Sequence, residues 1–210
     1  MDRHEHLWAP WRLAYVSGEA NAPGVKPRES PLKFLPGADP DCFICRAIAD
    51  SNDRQNLVVE RTDQSVAIVN RFPYNNGHLL ISPLRHQGRL DELTDHEHLD
   101  AQRLIARYTT LIERLMNAEG FNVGLNVGRA AGAGVPGHLH WHIVPRWSGD
   151  TNFMPALAGV RVIPQSLDAL WEMFEQANSQ AAYLVRESFK LKTAGRRKGI
   201  FPNAARARAP

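Results

Sequence analysis

No uninterrupted apolar run in this 210-residue sequence approaches the roughly 20 residues that a membrane-spanning helix needs, so a soluble chain with no membrane partner is expected. The polar start Met1-Asp2-Arg3-His4-Glu5-His6 also lacks an apolar stretch with a small-residue cleavage site, and the expected location is the cytoplasm. Acidic residues are absent from Ser188 onward, where seven basic ones occur (Lys190, Lys192, Arg196, Arg197, Lys198, Arg206 and Arg208). With a net charge of +3 overall, those seven cations leave −4 on residues 1–187. A basic folded surface is thereby excluded, and nucleic acid is not the expected partner. Residues 190–210 read as a solvated, disordered tail, with RNA contact as the lesser alternative. Cysteine is confined to Cys42 and Cys45.

What is present is ordinary for a globular chain: 43% hydrophobic and 22% charged residues, enough for one good-sized core. Residues 1–40, with Trp8, Trp11 and seven Pro or Gly from Pro23 to Pro40, read as an irregular arm. Residues 41–189 form the expected single folded domain. It opens on a short helix through Cys42, Cys45 and Ala49, for which Asp41 is the candidate cap. β-Branched and aliphatic runs at Leu57-Val58-Val59, Ser65 to Val69 and His78 to Ile81 predict antiparallel strands, the third introduced by the turn Pro73-Tyr74-Asn75-Asn76-Gly77. Thr94-Asp95-His96-Glu97 matches a capping box, and Leu99, Leu104, Ile105, Tyr108, Leu111, Ile112 and Leu115 predict a long amphipathic helix stopped by Gly120. Strands over Phe121 to Val127 and Leu139 to Val144, the latter halted by Pro145, and a helix from Ser166 to Phe189 complete the pattern. The class is α+β, with an antiparallel five-stranded sheet, one long central helix and a C-terminal helix.

In His138-Leu139-His140-Trp141-His142 the histidines recur at period two, which on a strand places all three on one face, about 6.6 Å apart along the backbone. That spacing suits a ligand lying across them; a metal site or a polar sheet face are the alternatives. The preceding loop contains Gly128, Gly132, Gly134 and Gly137 and only Arg129 as a bulky residue, a composition that lets backbone amides approach phosphate.

The run His138 to Val144 resembles the signature of the histidine triad (HIT) superfamily of nucleotide hydrolases and transferases. Ala67-Ile68-Val69-Asn70, Gly77-His78-Leu79-Leu80-Ile81 and Pro83-Leu84-Arg85-His86 resemble that family's nucleoside-binding hairpin, so the likeness covers about residues 42 to 150. The resemblance implies a HIT-like fold and His140 as the nucleophile on an α-phosphorus. It also implies a nucleotidyl-histidine intermediate that an acceptor oxygen resolves. A neutral imidazole suits that role near pH 7, provided its other nitrogen donates to a carbonyl that sets the tautomer. His142 is assigned to the phosphoryl or leaving-group oxygens, Asn126, Gly132, Gly134 and Arg129 to the developing charge and the anion, and Asn70 to the ribose hydroxyls. Arg146 is a further candidate for the anion.

Cys42-Phe43-Ile44-Cys45 is shared by redox motifs and half zinc sites, and no thioredoxin-like strand precedes it. The resemblance implies a structural zinc on Cys42, Cys45, His86 and His138. His78 competes with His86 for the fourth position, although its strand position suggests a supporting hydrogen bond instead. Gly134 and Val135 stand where simple hydrolases of the superfamily usually carry Gln and Ser or Thr. The segment Pro145 to Met154 and Leu7-Trp8-Ala9-Pro10-Trp11-Arg12 resemble the branch of bacterial diadenosine tetraphosphate phosphorylases or nucleotide adenylyltransferases. The expected substrate is therefore a nucleotide or dinucleoside polyphosphate, with inorganic phosphate as co-substrate. Water as acceptor, a non-catalytic nucleotide-binding module and processing of adenylylated DNA ends are the alternatives. The family also implies a homodimer formed by extending one sheet.

Overall fold

The computed structural model describes residues 31–150 and 163–196, with side chains as far as residue 184. The Trp-containing part of the N-terminal arm, the segment 151–162 and residues 197–210 lie outside the described residues.

Two short helices, α1 (Phe43–Ala49) and α2 (Asp53–Asn56), lead into β1 (Val58–Arg61), β2 (Ser65–Val69) and β3 (Leu79–Pro83). The long helix α3 (Asp95–Met116) follows, then β4 (Gly120–Leu125), β5 (Trp141–Arg146) and α4 (Leu167–Arg196). All strand pairs are antiparallel, in the order β1-β2-β3-β5-β4, which is the expected five-stranded sheet. Every residue of β2 and β3 is buried; α3 packs on β2, β3 and β5, and α4 on β1 and β2. Among the described residues no helix is long and apolar enough to cross a membrane.

Thr94 caps α3 as the capping box predicts: its hydroxyl accepts from Glu97 N–H, and the Glu97 carboxylate accepts from Thr94 N–H. Ala101, Leu104, Ile105, Tyr108 and Ile112 are the buried face. Leu99 is exposed instead, since nine residues at about 100° each place it half a turn from Tyr108. Leu115, in the last turn, is exposed too. The helix ends at Asn117, which takes the left-handed conformation (φ 52°), and Gly120 is already the first residue of β4. Cys42, and not Asp41, is the N-cap of α1, and no side chain bonds there. Pro145 does not halt its strand. Its carbonyl accepts from Asn75 Nδ2, so its missing N–H lies on the edge turned away from β4, and β5 continues to Arg146. The last helix runs beyond Phe189 to Arg196.

Candidate active site and metal cluster

Of the three triad histidines only His142 lies within the β5 ladder. Leu139 N–H donates to the Gln87 carbonyl (2.7 Å), and Ser82 Oγ donates to the Leu139 carbonyl (2.7 Å). Residues 138–140 are thus fastened to the end of β3 and the loop after it, and the three rings diverge.

His138 turns toward α1. Its Nε2 is 2.9 Å from the Pro83 carbonyl, which can only accept, so the proton sits on Nε2 and Nδ1 presents a lone pair. Nδ1 stands 3.4 Å from both Cys42 Sγ and Cys45 Sγ, and His86 Nδ1 is 3.2 Å from Cys45 Sγ. The four ligand atoms all lie within 4.8 Å of one another. Tetrahedral bonds of about 2.3 Å to sulfur and 2.0 Å to nitrogen would separate the two by about 3.5 Å, so the set is nearly at metal-binding spacing. Burial pushes the Cys42 thiol up to about 12 against the opposing Cys45 backbone N–H, which is the reverse of what a reactive redox thiol needs. Buried thiolates become favourable here once a cation stands between them. Burial also pushes His138 down to about 4, leaving the neutral imidazole that a metal requires. These residues fit a metal ion.

His86 reaches the cluster from a loop anchored to α3. Arg85 pairs with both oxygens of the nearly buried Glu97 carboxylate (2.6 Å each), holding that acid down at about 2. Gly137 is required on the other side, because a Cβ there would stand 2.9 Å from His86 Nε2.

His140 is 7% exposed, and its Nδ1 donates to the His138 carbonyl at 2.8 Å, leaving Nε2 unprotonated. Burial lowers its pKa from the ordinary value of 6.5. The His142 ring lies 5.1 Å from that of His140 in an edge-on arrangement, and burial, with His140 adding, pushes His142 down to about 4. Its Nδ1 is 2.9 Å from His78 Nε2, while its own Nε2 has no hydrogen-bond partner among the described residues. Leu80 is the cross-strand partner of His142, so His78, two residues earlier, is the diagonal neighbour on the same face. His78 therefore supports the triad and not the metal cluster, where His86 takes the fourth place. The diagonal contact depends on register, which period two in the sequence does not show. Tyr74 went unassigned in the sequence, and its ring stacks on His142 at 5.5 Å and 19°.

The other expected residues are less closely gathered. Asn70 Oδ1 accepts from Phe72 N–H and its Nδ2 faces His78 Nδ1 (3.2 Å), so the amide closes its own hairpin. Asn126 and His140 both lie one position beyond the β4–β5 ladder, which ends at Leu125 and Trp141. In the glycine-rich loop, Gly128 and Gly132 take left-handed φ values that favour glycine. The Gly132 N–H already donates to the Arg129 carbonyl, within a turn that also engages the amides of Ala131 and Ala133. It is thus not available to a phosphate. Gly134 has no left-handed φ, and Arg129 is exposed on the short turn Arg129–Ala131. Arg146 is engaged: it holds Asp150 through two bonds and Asn122 through a third.

Residues 51–149 match the HIT domain. Over 171 residues the chain is 36% identical to the AP-4-A phosphorylase of Mycobacterium tuberculosis, a match spanning 79% of this chain and 80% of that protein. It is 39% identical over 93 residues to the asymmetrical bis(5'-nucleosyl)-tetraphosphatase of Schizosaccharomyces pombe, covering 44% of this chain and 50% of that one. The fold is that of a Zn-bound histidine triad family protein from Mycobacterium smegmatis, with a TM-score of 0.50 and 23% identity over 61% of this chain and 87% of that chain.

Proposed function

Because the chain belongs to the HIT domain family, we propose that it is an enzyme that cleaves dinucleoside polyphosphates at an α-phosphate, with His140 as nucleophile. The preferred reaction is phosphorolysis of diadenosine tetraphosphate to ADP and ATP. The observation that carries this reading is the Nδ1–H of His140 bonded to the His138 carbonyl (2.8 Å), with a free Nε2 beside His142.

In the first step Nε2 attacks the α-phosphorus in line, the P–N bond forms, the P–O bond breaks, and ATP leaves as an oxyanion. The imidazolium charge on the adenylylated ring is stabilised by the same carbonyl. In the second step an oxygen of inorganic phosphate attacks the same phosphorus, the P–N bond breaks, and ADP is released. His142 bonds the oxygens around phosphorus, Asn126 is assigned to the developing charge, and the exposed Arg129 to the anion. Gly134 is assigned to the phosphate through its backbone. Asn70 Oδ1, which accepts one bond, has a second lone pair for a ribose hydroxyl. The match to a phosphorylase over most of both chains supports phosphate as the acceptor.

Zinc is the ion we assign to Cys42, Cys45, His86 and His138: a two-thiolate, two-imidazole set is a closed structural site that would tie α1 to the residues before β5. The exposed edge strand β4, with Asn122, Val123 and Gly124 open to solvent, is the surface assigned to pairing with a second copy. Incubation with diadenosine tetraphosphate decides the acceptor. ADP and ATP that appear only when phosphate is added support phosphorolysis, whereas AMP and ATP without phosphate replace it with hydrolysis.

A further inference from the structure

His78 is buried completely, lies outside the metal cluster, and has no part in the reaction described above. Its contacts nevertheless set a proton position on the neighbouring ring. Tyr74 backbone N–H points at His78 Nδ1 from 3.0 Å. A backbone amide can only donate, so His78 Nδ1 must accept and its ring proton resides on Nε2. Asn70 Nδ2 stands 3.2 Å from His78 Nδ1 and 3.4 Å from its Nε2 and so does not choose between them; the Tyr74 amide alone sets the tautomer. His78 Nε2–H then meets His142 Nδ1 at 2.9 Å, which makes that nitrogen an acceptor. The neutral His142 ring has one proton left to place, and it falls on Nε2, the atom without a partner among the described residues.

We propose that His78 is a positioning residue: the one-way series Tyr74 N–H to His78 to His142 locks His142 as the Nε2–H tautomer and makes it a dedicated donor to the leaving oxygen. Two imidazoles two residues apart are thereby held in opposite tautomers. A main-chain carbonyl puts the His140 proton on Nδ1 and frees Nε2 to attack, while a main-chain amide, acting through His78, puts the His142 proton on Nε2. The parallel Tyr74 ring closes the outer side of His142 and limits its rotation out of this arrangement. The bond from His142 to the leaving oxygen is a hydrogen bond and transfers no proton, so the leaving nucleotide departs as an anion and charge balances without an external acid. The assignment of the leaving group rests on the nucleotidyl-histidine reading; the tautomers do not.

Nitrogen-15 spectra of the imidazoles in the intact wild-type chain at neutral pH test the tautomers with no substitution. His142 protonated on Nε2 and His140 protonated on Nδ1 are expected, and His142 protonated on Nδ1 overturns the proposal. Function is tested with esters of AMP whose aryl leaving groups differ in acidity. His78→Leu is expected to lower kcat/KM by about 10²-fold for the poorest leaving group and only a few-fold for the best, the scale seen when one donor to a developing oxyanion is removed. His78→Gln, whose amide can donate to His142 Nδ1, is expected to restore most of the difference. An equal loss on all esters, or a His78→Gln enzyme no better than His78→Leu, contradicts the positioning role. Absence of a covalent nucleotide on His140 would instead remove the nucleophile reading, with the spectra still deciding the tautomers.

Discussion

His138 and His142 are the same residue type, four positions apart, and burial pushes both down to about 4. Yet they stand at opposite poles of the site. Both ring nitrogens of His138 are engaged, one by the Pro83 carbonyl and one by the cysteine sulfurs. In His142 only Nδ1 is engaged, and Nε2 lacks a partner among the described residues. The comparison separates a histidine that holds structure from one that faces a substrate: number of engaged nitrogens divides them, and charge state does not. A buried N–H left unpaired costs about 1–3 kcal/mol, a cost that a bound oxygen removes. His140 stands between them in sequence and in role, tied on one side by the His138 carbonyl and open on the other.

The comparison breaks most visibly at the nucleophile. His140→Ala is expected to lower turnover at least about 10⁴-fold, in the range seen when a covalent nucleophile is removed, with little change in melting temperature. Next in size is the metal pole. Cys45→Ser should abolish most of the zinc found by metal analysis and reduce stability by about 3 kcal/mol or more, measured by denaturant unfolding. Wild-type protein prepared without chelators but containing less than about half an equivalent of zinc would count against that assignment.

A smaller loss is expected from Arg85→Ala. The Glu97 carboxylate, 2% exposed, would lose its bidentate partner, but half of the Arg85 side chain is already in water, so about 2 kcal/mol is expected. Glu97 also gives stability a pH dependence. Its folded pKa of about 2 lies below the ordinary 4.5, so the contribution is complete above 4.5 and is lost as pH falls toward 2. Unfolding of wild type and Glu97→Gln across that window checks this.

The triad itself responds to mild acid. His142 is depressed to about 4 from 6.5, so the unfolded chain takes up its proton first and stability declines as pH falls from 6.5 toward 4. With His140 also lowered, the acid limb of kcat/KM should lie below 6.5. A limb at 6.5 or above would place both rings in water.

Much of this was legible in the sequence. The capping box at Thr94 and the aliphatic runs of β2 and β3 each express a local rule that the structure follows. Period two at 138, 140 and 142 predicts one shared strand face, but only His142 lies in β5, and His138 turns away to the cysteines. The four residues of the metal cluster came from family resemblance, since Cys45 and His138 are 93 residues apart and no spacing rule joins them. What stayed hidden depends on register and on which polar groups are already used. Gly132 and Arg146 have the right chemistry for an anion, but the amide of one and the guanidinium of the other are engaged within the fold. A Cβ at Gly137 would stand 2.9 Å from His86 Nε2, a closeness that the loop's glycine content alone does not show. The contact of His78 with His142 arises from the diagonal of the β3–β5 ladder, which only the paired strands reveal.

The central claim is that His140 carries the nucleotide between the two steps. Rapid quenching of the enzyme with diadenosine tetraphosphate in the absence of phosphate, followed by peptide mass analysis under alkaline conditions that preserve a P–N bond, measures it directly. One adenylyl group on the peptide containing His140, discharged as ADP when phosphate is added, is the predicted result. Undiminished turnover with no adduct, or an adduct on His142 or His138, would contradict it.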